Sequence, residues 1–98
     1  MAKQLKLIQQ RPNTATAWHN ADDSFKNLKT AYVAAGKLDD QGVVVSGAEV
    51  IRTWTLVFTT EENYNEFINE DVSLDYQAAR QKYNSDNGIS ENLDIQDV

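Results

Sequence analysis

The only side chain in this sequence that titrates near neutrality is His19, and it stands beside Trp18. An imidazole can take and return a proton at physiological pH, which makes His19 the candidate general base. No serine, cysteine or carboxylate adjoins it to complete a nucleophilic set. The nearest acids are Asp22 and Asp23, which only folding could bring to the ring. Glu61, Glu62 and Glu66 cluster at an expected helix start, where the macrodipole favours them without any catalytic role. Asp39 with Asp40, and Asp94 with Asp97, lack the ligand spacing and glycine of a calcium loop. Cysteine is absent, which removes disulfides, thiolate zinc sites and a thiol nucleophile together. No metal or cofactor is therefore expected.

Trp54 and Phe58 fall on an expected third strand, as do the base-stacking aromatics of RNA-binding sheets. The run Arg52-Thr53-Trp54-Thr55-Leu56-Val57-Phe58 lacks the glycine-bearing pattern of those sheets, so both aromatics read as core packing. Gly36, Gly42, Gly47 and Gly88 are too scattered to form a phosphate-cradling loop.

The elements that must position these residues are legible from periodicity. Bulky residues recur at every second position in Arg52, Trp54, Leu56 and Phe58, as a pleated strand requires. The period then changes. Thr59-Thr60-Glu61-Glu62 has the Ser/Thr-x-x-Glu form of a helix start, and Tyr64, Phe67 and Ile68 follow at helical spacing. Residues 3–10 predict a first strand ended by Pro12. Asp22, Asp23 and Ser24 supply cap chemistry for a helix with an apolar stripe of Phe25, Leu28, Tyr32 and Ala35, stopped at Gly36. Residues 37–41 read as polar loop, Gly42 opens a strand over 43–45, and Ser46-Gly47 turns into a strand over about 49–59. The second helical region is expected to break near Glu70-Asp71, with Ser73 capping a fresh start. Leu74, Ala78 and Ala79, with Tyr76 and Tyr83, then carry its buried face to Asn87-Gly88. Ile89, Leu93 and Ile95 suggest a last strand.

The resulting order is β-α-β-β-α-(α)-β, a single α+β domain over residues 1–98. It predicts the ferredoxin-like arrangement: one four-stranded antiparallel sheet with its helices on one face. With Trp54, Leu56 and Phe58 under the helices, the open face would carry Thr53, Thr55 and Val57 near Lys6 and Ile8. That face is too polar for a dry core and too apolar for a purely solvated surface. Face-to-face homodimerisation would cover it, making Lys6, Ile8, Thr53, Thr55 and Val57 the candidate cavity or interface, joined by Trp54 as a cavity residue or, with the two faces of the strand reversed, as an interface anchor with Phe58.

Charge bounds the partners. Residues 1–60 hold seven Lys/Arg against five Asp/Glu, whereas 61–98 hold two against ten, giving the net charge of −6. The acidic second half repels phosphate backbones, so no nucleic-acid partner is expected. An acidic helical face around Glu62, Glu66, Glu70 and Asp71 is the alternative docking surface, for a basic protein. Residues 1–10 contain no apolar run of signal-peptide length, and no segment approaches the roughly 20 apolar residues of a membrane span. A soluble cytoplasmic protein with no membrane partner is the expectation.

Element order, the helix broken at Asp71 to Ser73, and the cadence Arg52-Thr53-Trp54-Thr55 … Glu62-Asn63-Tyr64-Asn65-Glu66-Phe67 resemble the dimeric α+β barrel proteins, which include antibiotic-biosynthesis-type monooxygenases. That resemblance implies activity without metal or flavin in some members. Haem-degrading members use an Asn, Trp and His set. Here residues 64–70 offer no histidine and residues 5–10 no asparagine, so haem activity does not carry over. Gln9-Gln10-Arg11-Pro12, Thr55-Leu56-Val57-Phe58 and Tyr83-Asn84-Ser85-Asp86-Asn87-Gly88-Ile89 also resemble short proteins of large tailed bacteriophages, which would place the chain in a host cytoplasm or a virion.

These readings favour a non-enzymatic, self-associating module, in its most concrete form a phage accessory or assembly protein. The alternative is a cofactor-independent monooxygenase or small-ligand binder whose cavity, between protomers, is lined by Lys6, Thr53 and Thr55 with Trp54 or His19.

Overall fold

A computed structural model describes residues 1–98. Its elements run β1 (Lys3–Gln10), α1 (Asp23–Ala34), β2 (Leu38–Ser46), β3 (Ile51–Phe58), α2 (Glu61–Asn69), α3 (Asp71–Asp86) and β4 (Ser90–Asp97). The four strands form one antiparallel sheet in the order β2-β3-β1-β4, the ferredoxin-like arrangement, with the chain's first strand in its interior.

Local chemistry sets the element ends. The Asp22 carboxylate accepts from the Phe25 amide at 2.9 Å and starts α1. The hydroxyl of Thr60, one residue later than the Thr59 expected from the capping pattern, accepts from the Asn63 amide at 3.1 Å and starts α2. Thr59 instead donates to the Gly36 carbonyl at 2.7 Å and ties β3 to the end of α1. The helix breaks at Glu70 as predicted, but Glu70 is the cap residue and Ser73 lies one turn inside, buried.

Two strand boundaries depart from the expectations. β2 begins at Leu38 and not at Gly42: Leu38 pairs with Phe58 and is buried, so the ladder overrides the polar composition of residues 37–41. The polar residues are absorbed by an irregularity between Asp40 and Val43, where Gly42 has φ +78° and its amide donates to Asp40 at 2.9 Å. β3 begins at Ile51 and not at Glu49, because Ala48 and Glu49 have left-handed backbone (φ 57° and 69°) in the hairpin turn. Arg11 holds that turn by donating through Nε and Nη2 to the Glu49 carbonyl at 2.9 and 2.7 Å.

The register assigns the faces. Opposed pairs Leu5/Leu56, Leu7/Trp54 and Gln9/Arg52 share one face, and Lys6/Thr55 and Ile8/Thr53 share the other. The helices cover the first. Under them Phe25, Tyr32, Leu38, Leu56, Phe58 and Phe67 form the core, with Phe67 set edge-on to Phe25 and Tyr32 at centroid distances of 5.6 and 5.1 Å.

The buried stripe of α3 differs from the one expected. Tyr76 packs on Phe25 as expected of it, but Leu74, Ala78 and Ala79 face outward, and the buried positions are Ser73, Arg80 and Asn84. This polar stripe faces the sheet beside the aromatic core, and it shapes the site.

Candidate functional site

Between the sheet and the helices lies a cavity of about 120 Å³, mostly apolar, walled by Leu5, Leu7, Leu56 and Trp54 from the sheet and by Phe25, Phe67, Ile68 and Tyr76 from the helices. Its polar wall is made by His19, Lys29, Ser73, Gln77 and Arg80. A cavity near 150 Å³ accommodates benzene, so a space of this size suits a single ring and not a haem macrocycle.

His19 reaches the cavity because its loop is anchored at three successive residues. The Tyr83 hydroxyl donates to the Ala17 carbonyl at 2.6 Å, and Arg52 Nη2 donates to the His19 carbonyl at 2.8 Å. The Trp18 ring is held between the guanidinium groups of Arg11 and Arg52, at 4.6 and 4.7 Å. The imidazole then packs against Tyr76 and Tyr83, with centroids 5.9 and 5.4 Å away. Burial pushes its pKa below the ordinary value of 6.5, and the positive charges of Arg52 and Arg80 push the same way, so His19 is neutral at pH 7.

Two of the lining residues each carry a buried nitrogen without a hydrogen-bond partner in the chain, His19 Nδ1 and Trp54 Nε1. Gln9 Nε2 and both side-chain polar atoms of Asn84 are in the same condition. Buried polar atoms are nearly always paired, so five such atoms concentrated on a few residues set this end of the molecule apart. The cations are arranged unequally. Lys29 lies 4.9 Å from the Trp54 ring centre and 3.4 Å from Asp40, and Arg80 Nε lies 2.7 Å from Glu91. Arg52 donates through Nε and Nη2 to Gln9 Oε1 at 3.0 and 2.8 Å and meets no carboxylate.

Of the residues singled out from sequence, the structure brings His19 and Trp54 together. Lys6, Ile8, Thr53, Thr55 and Val57 are half-buried on the opposite face and do not line this cavity, which lies within one chain rather than between two. Asp22 caps α1. Glu66 accepts from Lys37 and Tyr32, each at 2.9 Å, which holds its carboxyl below the usual range, while burial first and then this hydrogen bond push the tyrosine hydroxyl's pKa up. Asp39 and Asp40 sit on β2, Asp97 pairs with Lys3 at 2.7 Å, and no three His, Asp or Glu side chains converge on a metal-binding point. The residues that sequence reasoning missed are Ser73, Tyr76, Gln77 and Arg80. Their signal was the spacing of Ser73, Gln77, Arg80 and Asn84, which lie on one side of a helix at i, i+4, i+7 and i+11.

No protein-family model and no curated protein matches this chain. Solved structures do. A conserved Bacteroides thetaiotaomicron protein described as a possible oxidoreductase superposes with a TM-score of 0.60 at 10% identity, covering 99% of this chain and 97% of that one. A conserved Methanosarcina mazei protein gives 0.58 at 14%, covering 98% and 92%. A candidate antibiotic biosynthesis monooxygenase from Caulobacter crescentus gives 0.53 at 13%, covering 98% and 89%. At these identities the likeness shows a shared fold, the ferredoxin-like α+β arrangement, over nearly the whole chain. These neighbours come from bacteria and an archaeon, and the resemblance to phage proteins gains no support from them. No helix is long and apolar enough to cross a membrane.

Proposed function

We propose that this chain binds a small, mainly apolar molecule in the cavity between its sheet and its helices, and that His19 and Trp54 contact it. The observation that carries this reading is the pair of buried nitrogens, His19 Nδ1 and Trp54 Nε1, on a mostly apolar wall with no partner in the chain. Each unpaired buried group costs about 1–3 kcal/mol, a cost that folding alone gives no reason to retain. A bound molecule with hydrogen-bonding atoms would offset it.

The finer version is cofactor-independent monooxygenation. Neutral His19 takes a proton from an acidified CH2 group, and the carbanion reduces O2 and joins it as a hydroperoxide. Loss of water then leaves a carbonyl. One oxygen atom enters the product and the other leaves as water, so the substrate supplies every electron. The descriptions of the Bacteroides and Caulobacter neighbours support this direction. Native mass spectrometry of the purified chain, followed by a melting screen with small aromatics, tests binding: a retained mass or a raised Tm is expected, and neither appearing would sink the reading. Oxygen uptake with a binder identified in this way tests the chemistry. His19→Ala should weaken binding and lose the uptake even at saturating ligand, and uptake unchanged in that variant would remove the general base.

A second reading concerns the open face, where Ile8, Ile51 and Val57 are half-buried with no helix above them. Self-association through this face would cover them. Sedimentation analysis should give a dimer that Val57→Lys dissociates; a monomeric wild type would end that reading and leave the cavity untouched.

A further inference from the structure

We infer that the molecule accepted by this cavity is an anion, a single-ring carboxylate or phenolate, drawn by the field of Arg52. This rests on the cavity reading above and goes beyond it. The two cations on the cavity wall are already matched, Lys29 by Asp40 at 3.4 Å and Arg80 by Glu91 at 2.7 Å. The guanidinium of Arg52, which lies beside the wall and not on it, is not. It is only 5% exposed, lies 5.4 Å from the Trp54 ring centre, and donates only to neutral oxygens, those of Gln9 and the His19 carbonyl. A buried charge without a counter-ion is among the costliest arrangements in a protein interior.

No acidic residue lines the cavity, although the chain carries 15 Asp and Glu against 9 Lys and Arg. The unpartnered atoms point the same way. Trp54, on the cavity wall, carries an unpartnered Nε1 that can only donate, whereas Gln9 and Asn84, whose amide nitrogens are also idle, lie outside the lining. A carboxylate or phenolate oxygen accepts hydrogen bonds and offers none when ionised, so it fits the Trp54 donor and the unmatched positive charge of Arg52 beside that ring together. Phe25, Leu56, Phe67 and Ile68 supply the apolar wall for the ring.

The test compares benzoate, neutral benzamide and cationic benzylamine, three probes of one shape and different charge, by calorimetry on the full chain at neutral pH. Benzoate should bind about tenfold or more tightly than benzamide, with benzylamine weakest. In Gln9→Glu a carboxylate faces Arg52 from within the protein, and the preference for benzoate over benzamide should fall below about threefold while the melting temperature holds or rises. Arg52→Gln serves the same purpose if Gln9→Glu does not fold. Equal binding of benzoate and benzamide to the wild type would overturn the anion assignment and leave the cavity reading standing. No binding by any of the three would count against both. A benzoate preference that survives in the folded variant would overturn the role of Arg52.

Discussion

One layer, between the sheet and the helices, is built in two ways. At the end bounded by α1, α2 and β2, Phe25, Tyr32, Phe58 and Phe67 interlock around Leu38 and Leu56, and the polar atoms at the rim are paired: Tyr32 and Lys37 with Glu66, Thr59 with the Gly36 carbonyl. At the end bounded by α3, β1 and β4, the inward side chains are Gln9, Arg52, Arg80 and Asn84, and several of their polar atoms meet nothing. Leu93 and Ile95 on the edge strand share the helix-side face yet remain 49% and 43% exposed. The first end follows the rules of a folding core and the second departs from them. Burial of the aromatic side chains should make the former the larger source of stability, and departures like those of the latter are tolerated at functional sites.

The largest effect that would break this contrast is in the aromatic end. Phe58→Ala removes a side chain with 0% exposure and should cost about 3–5 kcal/mol in urea unfolding, while Leu93→Ala should cost under about 1 kcal/mol. Similar losses from the two would mean that the polar end bears as much of the fold as the aromatic one.

Next in size is a substitution expected to stabilise. Asn84 is 1% exposed, sits inside α3, and neither its side-chain oxygen nor its nitrogen has a partner. Asn84→Leu keeps the approximate volume, removes the unpaired amide and improves helix propensity, so stability should rise by about 1–3 kcal/mol. Asn84 does not line the cavity, so benzoate binding should be unchanged in this variant. Destabilisation would show that the amide is satisfied in solution and that the polar end is better paired than it looks.

About 1 kcal/mol is expected from Thr60→Ala, which removes the acceptor for the Asn63 amide at the start of α2. The loss should appear in thermal unfolding and leave ligand affinity unchanged, since Thr60 does not line the cavity. A change in affinity would couple the two ends.

How much of this was legible in sequence follows from what each residue has to satisfy. The alternation of Arg52, Trp54, Leu56 and Phe58 dictated a strand with one buried face, and Phe25, Tyr32 and Phe67 at helical spacing dictated what would cover it. Local patterns of this kind give the element order. The site was less legible because it breaks them. Hydropathy turns α3 toward Leu74, Ala78 and Ala79, whereas the tertiary arrangement buries Ser73, Arg80 and Asn84, whose reasons lie on strands far away in sequence. Trp54 and His19 were each visible as candidates, but their meeting depends on Arg52 holding the His19 carbonyl and Tyr83 holding the Ala17 carbonyl, contacts that no spacing encodes. The open-face residues were legible as a face, and the cavity lies on the other side of the sheet.

The smallest effect tests whether His19 belongs to the polar end in the way described. Burial first, then Arg52 and Arg80, hold its pKa below 6.5, while Asp22 and Glu91 pull more weakly in the opposite direction. The unfolded chain therefore binds a proton at a pH where the folded chain does not. The stability this group contributes is fully present above about pH 6.5 and is lost as pH falls below it, until the folded imidazole also protonates. Unfolding free energies from urea titrations at pH 7.5 down to pH 5 should decline by less than about 1.4 kcal/mol per pH unit, and His19→Gln should flatten the decline. The window separates this signal from Glu66, whose lowered pKa makes its contribution fall only as pH drops through the carboxylate range. Saturating benzoate should also shrink the decline, because an anion beside the ring favours its protonated form and brings the folded pKa back toward the unfolded one. A wild type whose stability is level across this range would place His19 in solvent and remove it from the cavity wall.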